Sequence, residues 1–251
     1  MWSTTARSGP RHRRDDVGAA VVTTFVCIHG AFRGGWSFDL VAGELARRGH
    51  EVRAPTLTGM DGAAGRPATV GLADWVADVV GVVERDELTD VVLVGHSQGG
   101  LVITAAAEQC RDRLASLAYL DAVEPLDGQR GVDLLPMPAG VERPLLPPAD
   151  TWLPPTPLDA ASGLAPELVS WANDRLCPTP LGPSLDAVTI TAVGRSVPRS
   201  YLFCQRTPAG YPSVATRARL EVDGVEVDLI DAPHDVVLSH PVEVADWLEA
   251  R

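Results

Sequence analysis

The chain contains no lysine; all 21 of its basic residues are arginine. Whatever chemistry it performs, a lysine Schiff base and a lysine general base are excluded. Cysteine is sparse as well. Cys27, Cys110, Cys177 and Cys204 lie scattered along the sequence, with neither CxxC spacing nor a compact disulfide framework, and so read as reduced, mostly buried thiols. Long apolar runs are missing. No segment reaches the ~18 residues that a membrane span requires, and the polar opening "MWSTTARSGPRHRRDD" lacks the apolar stretch of a signal peptide. Positive charge is in deficit: the formal net charge is −12, and an acidic surface repels phosphate backbones and anionic lipid headgroups. The expectation is a cytoplasmic protein that meets neither nucleic acid nor membrane, with residues 1–20 as a disordered tail.

What is present is an alternation of strand and helix. "VVTTFVCIHG" (residues 21–30) reads as a buried strand, and "WSFDLVAGELARRGH" as a helix with Phe38, Val41, Leu45 and Ala46 at helical spacing and Gly49 where a C-cap belongs. "EVRAPT" is a short strand, and "VGLADWVADVVGVVERDEL" an amphipathic helix with Leu72, Trp75, Val76, Val79 and Val83 on one side. The strand "TDVVLVG", the helix "GGLVITAAAEQCRDR" and the strand "LASLAYLDAV" follow. This order implies an α/β fold, a parallel sheet with helices on both faces. From about Glu124 to Pro198 the alternation stops in a proline-rich stretch whose one clear helix is "APELVSWANDRL". It resumes with "RSYLFC", a helix-like segment near 211–220, the strand "VEVDLID" and the helix "PVEVADWLEAR". The expected organisation is one domain over 21–251 with 124–198 inserted as a cap.

The strand "VVLVG" breaks into "HSQGG", so that Gly95, His96, Ser97, Gln98 and Gly99 spell G-x-S-x-G between a strand and a helix. That context is what exposes a serine nucleophile at the C-terminal edge of a sheet, and it lifts a short, chance-prone pattern above a mere glycine turn. The backbone N–H of Gln98 then faces a developing oxyanion, and the glycine-rich loop "HGAFRGGW" after the first strand offers Ala31 N–H as the second donor. A serine hydroxyl needs a base. Of six histidines, His234 follows the last strand directly in "LIDAPHDVVLSHP" and fits the chain order Ser, acid, His; His240 is the reserve.

In combination, "FVCIHGAFRGGWSFDLVAGELARRGHEVRAPTLTGM" and "VVLVGHSQGG" resemble the α/β-hydrolase superfamily from Thr24 onward, and within it the plant methylesterase and hydroxynitrile lyase group with its bacterial relatives. The resemblance implies a mainly parallel six-stranded sheet, a helical cap inserted after the fourth strand, no metal, no cofactor, and oxyanion amides on Ala31 and Gln98. It also exposes a departure. The plant relatives carry their acid just after the penultimate strand, where this chain reads "YLFCQRTPAG" with Thr207 at the matching position and no carboxylate. Other α/β-hydrolases, haloalkane dehalogenases among them, supply the acid from the end of the neighbouring strand, where "LAYLDAVEP" offers Asp121. Asp121 is therefore the candidate acid, with Glu124 or an acid-free dyad as alternatives and strand-end capping as its bland role. Asp231 and Asp235 flank His234, but neighbours on a short loop tend to point apart.

By the same resemblance, hydroxynitrile lyase chemistry uses a threonine after the first-strand histidine and a lysine after the catalytic one; here those positions hold Gly30 and Asp235. The reading is a serine hydrolase of the carboxylesterase or thioesterase type. It would cleave an ester, thioester or lactone of a small apolar or aromatic substrate through an acyl-enzyme. Phe32, Trp152 and Trp171, with Leu145 and Leu153, are expected to line the pocket, although the tryptophans serve equally well to hold the cap down. The rival readings are an elimination, cyclisation or carbon–carbon lyase of secondary metabolism on the same fold, and a ligand-binding pseudoenzyme. The partner is a small-molecule substrate, with homodimerisation left open.

Overall fold

A computed structural model describes residues 22–62, 66–137, 140–142 and 144–251. The tail expected over 1–20, His12 included, lies outside the described residues. In chain order β1 (Thr24–Ile28), α1 (Asp39–Arg47), β2 (Glu51–Arg53), α2 (Leu72–Arg85), β3 (Val91–His96), α3 (Gly99–Ala106) and β4 (Leu114–Leu120) come first. A stretch of short elements follows: β5 (Trp152–Leu153), α4 (Pro166–Asn173), β6 (Thr179–Pro180), α5 (Gly182–Leu185) and α6 (Ala192–Arg195). The regular alternation then returns as β7 (Arg199–Cys204), α7 (Pro212–Val222), β8 (Asp228–Ile230), α8 (Val236–Ser239) and α9 (Pro241–Glu249).

Six strands form one sheet in the order β2-β1-β3-β4-β7-β8, and every neighbouring pair is parallel. The sequence expectation of a mainly parallel six-stranded sheet holds, without an antiparallel member. β5 and β6 pair separately and antiparallel. The chain steps from β1 outward to β2, then crosses back to β3 on the other side of β1. Strand order reverses there, and open α/β sheets bind ligands beyond the carboxyl ends of such a switch point.

Side chains alternate between the faces as the period of two demands. Phe25, Cys27, Val92 and Val94 pack with Val41 and Leu45 of α1 and Val244 and Leu248 of α9. Val26, Ile28, Leu93 and Tyr119 pack on the other face with Trp75, Val79 and Val83 of α2 and Leu101 of α3. All six residues of β3 are buried, which accounts for its unbroken apolar run. One sequence expectation fails locally: Ala46 points outward, while Glu44 is buried. Glu44 is held there by Arg47 and by Arg48, whose Nη2 lies 2.9 Å away. A carboxylate with two guanidinium partners is tolerated on a packed face where an unpaired one is not.

α2 starts where Asp74 accepts the Gly71 N–H at 2.8 Å. Asp186, from the segment between β4 and β7, accepts the Leu72 N–H at 2.8 Å. The inserted segment thus caps a helix of the main fold, giving partners to amides that a helix start leaves unpaired.

Close approach of β3 and α3 depends on Gly95, where an added Cβ would sit 2.8 Å from the Gly99 carbonyl carbon. Gly95→Ala is expected to lower unfolding free energy by about 2 kcal/mol, whereas Gly43→Ala, with open space around it in α1, is expected to raise it by about 0.5–1 kcal/mol. Urea unfolding of both variants checks the pair; equal effects would contradict the steric account.

Candidate active site

Ser97 sits between β3 and α3 with φ +55°, a left-handed conformation that a non-glycine residue adopts only when its surroundings force it. The forcing contacts are visible. Ser97 N–H donates to the Leu120 carbonyl at 3.3 Å, and Ser97 C=O accepts from Val123 at 3.1 Å and Gly100 at 3.2 Å. The turn lifts the side chain off the sheet edge, where its Oγ lies 3.0 Å from His234 Nε2. His234 comes from the turn after β8.

The other ring nitrogen, His234 Nδ1, lies 2.5 Å from Asp121 Oδ2. Asp121, at the end of β4, is itself in the left-handed region at φ +42°, its N–H bonded to the Leu202 carbonyl at 2.7 Å. Its Oδ2 also accepts from Thr207 Oγ1 at 2.5 Å, and its Oδ1 accepts the Cys204 N–H at 3.3 Å. A buried carboxylate with three donors has most of its lone pairs engaged, and the Nδ1–H tautomer that presents Nε2 as a base to Ser97 follows from it. Thr207 stands at the position left without a carboxylate, and it bonds the acid that occupies the neighbouring strand end.

The alternatives weighed on sequence are engaged elsewhere. Glu124 accepts from Tyr201 Oη at 2.9 Å and pairs with Arg199 and Arg219, each at 3.1 Å. His240 Nδ1 meets Ser239 Oγ at 2.7 Å. Asp231 pairs at the surface with Arg206 at 3.0 Å. Asp235 turns from His234 to Arg33, 2.5 Å away.

Ala31 and Gln98 line the same cavity as Ser97, and no hydrogen bond among the described residues engages the backbone N–H of either. Two amide donors are therefore free beside the serine, as an oxyanion hole requires. The cavity, about 270 Å³, is walled mainly by apolar groups, among them Phe32, Leu101, Val123, Leu153 and Tyr211. Two sequence expectations are corrected here: Trp152 and Trp171 are absent from this wall. Trp152 packs on Gly59 and under the Arg66 guanidinium, 5.3 Å from its ring, and Trp171 meets Trp36 edge-on at 5.2 Å. Both fasten the inserted segment to the sheet domain. Leu145 is almost wholly exposed and takes no part. A second, more polar cleft of about 260 Å³ is lined by His234 together with Asp159, Arg206, Tyr211 and Asp235.

Two further histidines brace the site. His29 Nδ1 donates to the Gly30 carbonyl at 2.9 Å and Nε2 accepts the Leu57 N–H at 3.1 Å. His96 Nε2 donates to the His234 carbonyl at 2.9 Å. Burial pushes His29 down to about 4, against a smaller opposing pull from its bond to Gly30. Burial, helped by neighbouring His234, takes His96 to about 4 as well. Both are neutral braces whose roles sequence did not reveal: a histidine next to a motif carries no local mark of what its ring nitrogens will meet. Among the described residues no three His, Cys, Asp or Glu side chains gather as metal ligands would, and no helix is long and apolar enough to cross a membrane.

A model of the alpha/beta hydrolase family matches residues 25–247. The chain is 43% identical to the carbendazim hydrolyzing esterase of Nocardioides sp. (strain SG-4G) over 46% of its own length and 48% of that protein. It is 38% identical to the pyrethroid hydrolase of Sphingobium wenxiniae over 41% of its length and 36% of that protein. It thus spans about half or less of the length of the curated relatives it matches. An extracellular alpha/beta-hydrolase from a Paenibacillus species, described as sharing structural and functional homology with tobacco salicylic acid binding protein 2, superposes with a TM-score of 0.71. That match is at 25% identity and covers 90% of this chain and 97% of the other. The kinship with plant methylesterases expected from sequence holds, methylesterases of Arabidopsis thaliana being among the relatives.

Asp121→Asn is expected to lower kcat by about 10⁴-fold, while Glu124→Gln leaves kcat within about threefold and costs about 3 kcal/mol of stability by unpairing Arg199 and Arg219. Steady-state kinetics and urea melts separate the two; a large kcat loss in Glu124→Gln would contradict the geometry. Stability also carries a pH signature. His29 and His96 have folded values near 4, below the unfolded ~6.5, so the unfolded chain takes up protons first as pH falls. Unfolding free energy is expected to drop between pH ~6.5 and ~4, by on the order of 3 kcal/mol per histidine, and to lose no more to them below that window. A flat profile over it in denaturant titrations would contradict buried neutral rings.

Proposed function

The chain belongs to the alpha/beta hydrolase family, and on that premise we propose that it is a serine esterase, cleaving an ester, thioester or lactone with an apolar or aromatic acyl group. The observation that carries this reading is the unbroken relay from Ser97 Oγ to His234 Nε2 at 3.0 Å and from His234 Nδ1 to Asp121 Oδ2 at 2.5 Å, opening onto an apolar cavity. The esterase and hydrolase names of its relatives support it.

In this mechanism Ser97 Oγ attacks the carbonyl carbon as its proton passes to His234 Nε2. Asp121 accepts the Nδ1–H throughout and stabilises the imidazolium without taking the proton. The carbonyl oxygen becomes an oxyanion between the amides of Ala31 and Gln98, each donor contributing about 3 kcal/mol to the barrier reduction. Collapse of the tetrahedral species breaks the bond to the leaving group, which takes the proton from His234. Water then repeats the sequence on the acyl-enzyme and frees the acid and Ser97.

The cavity of about 270 Å³ is close to the lower end of the ~300–1,000 Å³ range of small-molecule sites, so a compact acyl group suits it. Its wall is mainly apolar, with few polar side chains among the lining residues, and so favours an apolar acyl group over a polar one. His234 also lines the polar cleft, and the alcohol half is assigned to that side, with its leaving oxygen taking the proton from Nε2. All four cysteines are free and buried, which supports a reducing, cytoplasmic setting.

A fluorophosphonate probe is expected to label Ser97 in the folded wild type and to fail in Ser97→Ala and His234→Ala, with kcat for an aryl ester of an apolar acid falling at least ~10⁴-fold in each. Ser97→Ala activity within about tenfold of wild type would refute the acyl-enzyme route and leave His234 as a base for non-hydrolytic chemistry.

A further inference from the structure

The loop after β1 and the turn after β8 are joined by two charges that water scarcely reaches. Arg33 Nη2 lies 2.5 Å from Asp235 Oδ1, the side chains being 11% and 6% exposed. Arg33 Nη1 donates to the Ala31 carbonyl at 3.0 Å. One end of this link therefore grips the residue whose amide serves the oxyanion, and the other is the residue directly after His234. Between them the backbone is strained: Phe32 has φ +66°, and its carbonyl accepts from the Cys177 N–H at 3.0 Å, outside the loop. Desolvating two charges is costly, and such a pair adds little net stability over an apolar one. What it supplies is a fixed orientation.

We propose that Arg33 is a positioning residue for hydrolysis: paired with Asp235, it fixes the oxyanion loop against the His234 turn and cancels a carboxylate that would otherwise overstabilise the His234 imidazolium. The inference rests on His234 being the base. Burial alone would raise the Asp235 carboxyl, but Arg33, with smaller help from His234 and His96, holds it below the usual carboxylate range. Asp235 is therefore charged at neutral pH and Arg33 is its counter-charge. The remaining titratable or charged groups around the His234 ring are Asp121, bonded at Nδ1, neutral His96, 4.9 Å away between ring centroids, and Tyr211, 4.4 Å away. Arg206 and Asp159 share the polar cleft with it. His96 and Tyr211 also sense the charges of Arg33 and Asp235, so the double variant, which removes both charges, is the reference against which the two single shifts are compared.

The sign of the effect separates this role from simple packing. Unpairing Asp235 leaves a negative charge beside His234, favours the imidazolium and moves the acidic limb of kcat/KM to higher pH. Unpairing Arg33 leaves a positive charge and moves it to lower pH. The experiment measures kcat/KM against pH for wild type, Arg33→Met, Asp235→Asn, the double variant and Arg33→Lys. The limb is expected to rise by about one unit in Arg33→Met, fall by about one unit in Asp235→Asn and return close to wild type in the double variant. Arg33→Lys is expected to keep the wild-type limb but lose about tenfold in kcat at unchanged KM, because an ammonium cannot bond Asp235 and Ala31 together as a guanidinium fork does.

An unmoved limb in both single variants, or a shift of the same sign in both, overturns the proposal. If Arg33→Met fails to fold, Asp235→Asn decides by the sign of its shift alone. Ser97→Ala and His234→Ala serve as controls: if they are inactive and the limb does not move, only the role of Arg33 falls, whereas activity retained in them overturns the hydrolase reading and this inference with it.

Discussion

The bond from His234 Nδ1 to Asp121 Oδ2 joins two parts of the chain that the sheet alone brings close. Asp121 ends β4, and His234 follows β8; β7 lies between those strands in the sheet. It reaches the same carboxylate through the Cys204 N–H and through Thr207. A carboxylate this deeply buried is stable only when its lone pairs are taken, so three strand ends must hold their registers together for the acid to exist. The strain at Asp121 and Ser97, both at positive φ on adjacent strand ends, is tolerated because the surrounding hydrogen bonds leave neither residue another conformation.

From that fixed point the rest of the site follows. His234, oriented by Asp121, faces Ser97, and the elbow that exposes Ser97 also starts the helix beside which Gln98 presents a free amide. The inserted segment closes the other side. It bonds the oxyanion loop through Cys177 and Phe32, and Gln98 through Ser184 at 2.7 Å. The apolar cavity is thus lined partly by residues at the strand ends of the sheet and partly by residues between β4 and β7.

Residues whose role is set by local pattern were legible in the sequence: the β3 run, the glycines around Ser97, the apolar stripe of α2, and the place of His234 after the last strand. Asp121 was legible because a strand end is a defined location and the expected carboxylate near Thr207 was conspicuously missing. For Trp152 and Trp171 the sequence left pocket wall and cap packing open, because nothing in a proline-rich stretch fixes which way its short elements face; their partners, Gly59 and Trp36, are chosen by tertiary packing. Arg33 was invisible for a related reason. A charged residue in a glycine-rich loop is usually solvated, and its partner Asp235 lies at the other end of the sequence.

The claim at the centre of this account is that Asp121, not a residue after β7, holds the base. Proton NMR of the folded protein tests it directly, because an imidazole N–H in a short bond to a buried carboxylate resonates well downfield of ordinary amides. The account predicts such a resonance in the wild type and in Ser97→Ala, and its loss in Asp121→Asn and His234→Ala. A downfield resonance that survives in Asp121→Asn would contradict it, and would mean that another group orients His234.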